Sequence, residues 1–400
     1  MEKFKPTNIK GATDTLPPQQ ILRNRVIEVL RRNFELHGFA PIETASLNYR
    51  EVLAYKYDDD AEIVREIYKI QDLGERELGL RFDLTVPFCK FIATNRNLKM
   101  PFRRYEIGKV WRNGPVRAGR LREFYQCDID VVGQQGAEVE AEIIALAIRC
   151  FLDLGIKPII KYGNRNVLKS VIEGAGVKSE HVDKVVTLID KMEKITRKEL
   201  EAELGKFMDK GASIALLTTF EKMPKNDEVR NLEKLLNDMG IAKYCVYTPS
   251  LARGLNVYTG TIWEVVDGDG RLDGSLGGGG RYDKIITDWV DNGLQYPAVG
   301  MAFGLEPIMF LLENSMNQDA HTVDLLLVSM KDFAQAHNVA NRLRERGIRT
   351  LVLSTKVSKA FEYADKTGIP QVAVLGEREI MDGKLRIKNM SSGEESEENI

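Results

Sequence analysis

The chain has 400 residues, with 57 Lys+Arg against 59 Asp+Glu for a net charge of −2, and 43% hydrophobic residues. That length predicts two to four domains with ample material for a core, and near-neutral charge means that any polyanion must be met by local patches rather than by a global field. Cys89, Cys127, Cys150 and Cys245 lie far apart with no CxxC pair, and His37, His181, His321 and His337 are as scattered, which argues against a disulfide framework and against structural zinc. The N-terminal MEKFKPTNIK lacks a signal-peptide core and no apolar run approaches spanning length, so a cytoplasmic protein without membrane contact is expected.

Along the chain, Gln19 to His37 repeats apolar residues at helical spacing through Leu22, Val26, Leu30 and Phe34, and predicts an amphipathic helix ending at Gly38. A short strand is expected around Phe39 to Thr44, and Asp58, Asp59 and Asp60 read as a solvated turn rather than a metal site. In LGLRFDLTVPFCKF, Leu78 to Phe91, Arg81, Asp83 and Thr85 alternate with Phe82, Leu84 and Val86, which predicts a strand broken at Pro87. Asp83 and Thr85 then form either an ammonium-binding pair or the solvent face of an edge strand.

The stretch from Arg103 to Gly133 is the most informative. Arg104 to Arg112 and Gln126 to Val132 predict two antiparallel strands. Cys127, Ile129 and Val131 share one face, while Gln126, Asp128 and Asp130 share the other, and Arg104, Glu106 and Arg112 likewise share a parity. From Lys99 to Arg122 there are eight basic residues against one acidic residue, Glu106. Guanidinium groups match phosphate geometry, so a nucleotide or nucleic-acid backbone fits this segment; a solvated basic hairpin is the alternative.

Beyond the hairpin, an apolar helix is expected over Ala137 to Leu154 and a strand over Pro158 to Tyr162. From 165 to about 240 the composition turns Lys/Glu-rich and helical, as in an inserted subdomain. Strand-like ends flank Arg253, Gly254 and Tyr258, and Gly277 to Gly280 permit close backbone approach to a ligand, although no lysine follows to complete a P-loop. Pro297 to Glu313 reads as a small-residue strand running into an apolar helix. From about His321 the pattern VDLLLV, helix, RTLVLS, helix, PQVAVLG, KLRIKN predicts a separate α/β unit, and the terminal SSGEESEENI an acidic, frayed tail.

With these residues in view, the chain resembles the histidyl-tRNA synthetases, a family of class II aminoacyl-tRNA synthetases. LRFDLTVPF, KVWRN, GRLREFYQCDIDVVG, SLARGLNVYTG, GGGGRYD and VGMAFGLE occur in family order, and FEYADKTGIPQVAVLGE resembles the family's anticodon-binding domain. The resemblance implies an α+β fold: an antiparallel catalytic sheet of six strands over residues 1–320, with a helical insertion at 165–240, and an α/β anticodon-binding domain over 321–400. It further implies a homodimer, with histidine, ATP with Mg²⁺, and histidine tRNA as substrates and partners, and no resident protein metal site.

By the same resemblance, Arg112 and Arg253 are the expected catalytic arginines at the α-phosphate. Asp83, Thr85 and Gln126 would meet the α-ammonium of histidine, and Asp130, Tyr258 and Tyr282 its imidazole. Arg120, with Arg112 and Arg253, would face ATP, and Arg117 and Arg120 the tRNA acceptor end. Pro307 stands where the family has an ATP-binding arginine, Asn256 and Val257 replace the usual aspartate and tyrosine, and Ala45 replaces a dimer-interface proline. A non-catalytic paralogue, either a regulatory subunit of histidine biosynthesis or a tRNA-binding sensor, is the alternative that Pro307 favours.

Overall fold

A computed structural model describes residues 5–55, 62–116, 119–189, 192, 195–252, 257–313 and 322–400. The first helix, α1 (Pro17–Leu36), follows from the four-residue spacing of Val26, Leu30 and Phe34, all buried. Short elements come next: β1 (Ala40–Pro41), β2 (Leu47–Tyr49), α2 (Arg50–Ala54), α3 (Glu62–Arg65), β3 (Lys69–Gln71) and β4 (Glu77–Leu80). Of the strand expected around Phe39 to Thr44, only Ala40 and Pro41 pair, parallel to Arg104 and Tyr105.

The strand expected through Leu78 to Val86 stops at Leu80, and Thr85–Thr94 is a helix, α4. Of that stretch only Leu78 to Leu80 are strand, and none of the alternating residues from Arg81 to Val86 is. Asp83 instead folds back so that its Oδ1 accepts the Val86 N–H at 3.0 Å, and Pro87 sits in the helix's first turn, where its missing N–H costs nothing.

The hairpin is present as β5 (Phe102–Trp111) and β6 (Glu123–Val132), followed by α5 (Ala137–Asp153) and β7 (Pro158–Asn164). Five helices then form the inserted segment: α6 (Arg165–Gly174), α7 (Val182–Ile189), α8 (Arg197–Leu204), α9 (Lys210–Glu221) and α10 (Asp227–Asp238). Side-chain caps at Asn164, Thr196, Asp209 and Asn226 start four of them, and Leu168, Val185, Leu200, Leu216 and Phe220 share a core there. The chain returns through β8 (Cys245–Tyr247), β9 (Thr261–Asp267), β10 (Ser275–Arg281), α11 (Asp283–Val290), β11 (Ala298–Gly304) and α12 (Leu305–Leu312).

One sheet gathers these strands in the order β1-β5-β6-β11-β10-β9-β7-β8. The six from β5 to β7 are antiparallel neighbours, and β1 and β8 add short parallel edges. Phe303 of β11 lies opposite Cys127, and its ring meets Phe34 of α1 at 5.4 Å and Phe151 of α5 at 5.5 Å, so this face of the sheet is covered by helices. The opposite face, carrying Gln126, Asp128 and Asp130, is the polar one.

The chain divides into two compact units, residues 1–15 with 23–313 and residues 16–22 with 314–400. The second contains β12 (Leu325–Ser329), α13 (Phe333–Glu345), β13 (Thr350–Leu353), α14 (Val357–Thr367), β14 (Gln371–Leu375), α15 (Glu377–Asp382), β15 (Lys384–Asn389) and β16 (Glu395–Asn399). Its sheet runs β13-β12-β14-β15-β16, with Leu325 and Leu327 packed on the α13 side and Leu326 and Val328 on the α14 side. The acidic tail expected to fray is an edge strand. It pairs antiparallel with basic β15, setting Arg386 opposite Glu397 and Lys388 opposite Glu395, and Lys384 reaches Glu397 at 3.1 Å. Cross-strand opposite charges supply what the segment lacks in apolar content.

Phe34→Ala should destabilise the first unit by roughly 3–5 kcal/mol, because the cavity lies between two rings held by other elements. A lowered urea midpoint at unchanged slope for that unit's transition is the expected result.

Candidate active site

The register of the sheet aligns the polar face into three rungs, since residues directly opposite one another point the same way. Arg104 faces Asp130, which faces Gly300, then Gly280. Glu106 faces Asp128, then Ala302 and Gly278; Gly108 faces Gln126, then Gly304. On β10 and β11, then, this face is floored by glycine and alanine.

The glycines are required by their neighbours. A Cβ on Gly300 would lie 1.8 Å from Asp130 Oδ1, one on Gly108 2.4 Å from Arg81 Nη2, and one on Gly280 2.9 Å from the Tyr258 ring. The tract Gly277 to Gly280 forms the body of a central strand, and one of its neighbours, Tyr258, is a sequence-predicted site residue.

Arg104 is 0% exposed. Its Nη2 lies 2.5 Å from Asp130 Oδ2, its Nη1 3.7 Å from Glu106 Oε2, and its guanidinium 4.3 Å from the centre of the Phe88 ring. Glu106 in turn accepts from Arg81 Nη1 at 2.8 Å and from the Thr44 N–H at 2.9 Å, while Arg81 also donates to Lys109 O and Thr44 O. Asp130 takes a short hydrogen bond from the Tyr282 hydroxyl, itself buried. Burial pushes the Asp130 carboxyl up and Arg104 pulls it back. Burial also holds the Tyr282 hydroxyl well above its ordinary range, so it stays a donor.

Around this core the sequence-predicted residues distribute as follows. Gln126, at 9% exposure, leaves Oε1 buried without a hydrogen-bond partner. Asp83 is pushed up to about 6, by burial above all, with the Val86 N–H and Arg112 opposing. Thr85 opens α4, two residues on. Arg112 donates from Nε to Phe82 O at 2.9 Å and lies over the Phe124 ring. Arg120 pairs with Glu66 at 2.9 Å, which ties down one side of the β5–β6 connection. Arg253 and Arg117 lie outside the described residues, as do Asn256, His321 and the Asp58 to Asp60 run.

The charge count overstated the free basic surface of the hairpin. Arg103 pairs with Glu142, Arg104 with Asp130 and Lys109 with Glu123, and Arg120 pairs with Glu66. These acids come from elsewhere in the chain or from the facing strand. Sequence reasoning also left Arg104, Glu106, Asp128, Arg81 and Thr44 without a role. The signal for the first three was present, since each shares parity with a residue that was assigned.

Pro307 is the third residue of α12 and fits that first turn without loss of a helical hydrogen bond. Beside it, Glu306 is anchored, accepting the Tyr125 N–H at 3.2 Å on both oxygens.

A solved structure of histidyl-tRNA synthetase from Nostoc sp. PCC 7120 has the same architecture, with a TM-score of 0.84, 26% identity and coverage of 99% of this chain and 97% of that one. The fold is that of a class II aminoacyl-tRNA synthetase. A family model for histidyl-tRNA synthetase matches residues 11–308, and one for an anticodon binding domain matches residues 322–400. Histidine–tRNA ligase 1 of Bacillus thuringiensis subsp. konkukian is 37% identical over 97% of this chain and 96% of its own length, and the histidine–tRNA ligase of Clostridium tetani is 33% identical over 97% and 95%. The chain belongs to the histidyl-tRNA synthetase family of ATP-dependent ligases. A Bacillus halodurans C protein described as an ATP phosphoribosyltransferase regulatory subunit/histidyl-tRNA synthetase shares the fold at TM-score 0.77 and 19% identity.

The raised Asp83 sets a pH dependence. Between the ordinary carboxylate value of 3.8 and about 6 the folded protein holds a proton there that the unfolded chain has lost, so the stability penalty is absent below 3.8 and complete above about 6. Asp83→Asn, which mimics the neutral form, should be more stable than wild type at pH 8 by up to about 3 kcal/mol, with the gap closing as pH falls toward 4. Parallel urea melts at several pH values would show it.

Proposed function

We propose that the polar face of the large sheet binds histidine and ATP, forms histidyl-adenylate with release of pyrophosphate, and passes the histidyl group to the 3′ end of histidine tRNA. The observation that carries this reading is the buried Asp130, held by Arg104 and Tyr282 above a floor of Gly300 and Gly280. A carboxylate so fixed accepts a ring N–H and penalises any isostere that leaves it unpaired. Tyr258, beside Gly280, closes the ring end, and Asp83, Thr85 and Gln126 receive the α-ammonium.

Activation brings a carboxylate against the α-phosphorus of ATP, and negative charge grows on the phosphoryl oxygens as the bond to pyrophosphate breaks. Arg112 and Arg253 are the cations assigned to that charge. No general base is needed, because the attacking group is already a carboxylate. Arg120 and Arg117 are assigned to the nucleotide and tRNA acceptor side.

Among the described residues no group of three or more His, Cys, Asp or Glu is arranged to hold a metal ion. Mg²⁺ fits this site as a companion of ATP, held chiefly by phosphate oxygens and water, where it would neutralise the pyrophosphate. We assign residues 1–320 to catalysis, 165–240 to an insertion within it, and 321–400 to anticodon binding. We further assign the chain to a cytoplasmic homodimer, with the segment around Ala45 at the interface. The C-terminal unit favours an aminoacylating enzyme over a regulatory subunit of histidine biosynthesis, which has no need of an anticodon reader.

The test is ATP–pyrophosphate exchange with each of the twenty amino acids. Exchange with histidine alone is expected, and Arg112→Ala should lower its rate by about 10²–10³. Absence of exchange with every amino acid, from folded protein, would move the chain to the paralogue class.

A further inference from the structure

Asp128 sits at the centre of the polar face, 2% exposed, with Oδ1 buried and unpartnered. It makes no ion pair or hydrogen bond with the described residues, unlike each of its acidic neighbours. Glu106 is matched by Arg81 and Thr44, Asp130 by Arg104 and Tyr282, and Asp83 receives the Val86 N–H. A buried carboxylate left without a partner is costly, and cells of a sheet are not arranged this way for stability.

The groups that face it can be named from every side. β5 presents Arg104 and Glu106, and its own strand presents Asp130 and Gln126. Asp83 approaches from the segment before α4, with Arg81 and Arg112 beyond it and Cys89 and Tyr282 held neutral by burial. β11 and β10 offer only Ala302 and Gly278 on this rung, which continues to Glu264 on β9 and Lys161 on β7. The face thus holds one carboxylate more than its fixed cations neutralise, and burial above all, with Arg104 opposing and the surrounding acids adding, pushes the Asp128 carboxyl up toward its protonated form while the site is empty.

Asp128 lies two residues from Gln126 and two from Asp130, about 7 Å along the strand from each. A histidine with its ring at Asp130 and its α-nitrogen toward Gln126 and Asp83 would lie across it. We propose that Asp128 is a substrate-binding residue that takes the α-ammonium of histidine as its missing counter-ion. This rests on the histidine reading of the pocket. The ammonium enters already charged, so the Asp128 carboxyl that is protonated in the empty site gives its proton to solvent, one for each amino acid bound, and the pocket discriminates an amino acid from the same molecule without its amine.

The experiment is calorimetric titration of the full chain at pH 7.5, in two buffers of different ionisation enthalpy, with L-histidine and with imidazole propionate. The second ligand carries the same ring and no amine, so any proton exchanged at Asp130 or the imidazole is common to both. Wild type should release about one more proton with L-histidine than with imidazole propionate. In Asp128→Asn that difference should vanish, L-histidine should bind at least tenfold more weakly, and imidazole propionate should bind as before. The melting temperature of the empty variant should hold or rise, since a structural role would make it fall.

Equal proton release for the two ligands in wild type would overturn the proposal. So would a variant that keeps wild-type affinity for L-histidine, or one that loses both ligands alike. If wild type binds neither ligand, the histidine reading itself fails, an outcome distinct from failure of Asp128 alone.

Discussion

A guanidinium with no access to water organises the first unit. Removing Arg104 from solvent carries a desolvation cost of several kcal/mol, which only close, well-oriented carboxylates can offset. Asp130 and Glu106 provide them, and each is held by a further group, Tyr282 on one side and Arg81 with Thr44 on the other. The result is a line of charged contacts from the segment after β1, across β5 and β6, to the residue after β10. Such a line contributes little net stability, but it leaves few alternative positions for the side chains along it.

The same strand serves two environments. On β6, Cys127, Ile129 and Val131 are fully buried on the face that α1 and α5 cover, while Gln126, Asp128 and Asp130 look to the other side. A slip of one residue in register would exchange the two sets and bury three polar groups in an apolar layer. Burial on one face thus fixes the aim of the polar groups on the other. The loop arginines are a separate matter: Glu66 holds Arg120, and its backbone carbonyl accepts the Asn113 N–H at 2.7 Å, so the connection between β5 and β6 is anchored to a segment before β3.

Elements with a strong period were legible in the sequence. The four-residue spacing through Val26, Leu30 and Phe34 located α1, and the two-residue alternation of the hairpin gave both strands and their polar faces. The C-terminal α/β pattern was as clear. Where the reading failed, the deciding partner was remote. LRFDLTV alternates like a strand, yet the Asp83 cap and Pro87 turn its second half into the start of a helix. SSGEESEENI has the composition of a tail, and only the lysines and arginine of β15 make it an edge strand. The basic run looked free because Glu66 and Glu142 are far from it in sequence. Arg104 was visible as a charge of the right parity, but nothing local says that such a charge is buried.

The glycine floor has a bearing on how this pocket can evolve. At Gly300, Gly280 and Gly108 any side chain would collide with Asp130, Tyr258 or Arg81. Those positions are closed to gradual change, and the depth of the pocket is set by backbone alone. On the proposed histidine reading, drift toward a different amino acid would have to proceed at Gln126, Asp128 and Asp130. At the two aspartates each step would also disturb the charge shared with buried Arg104.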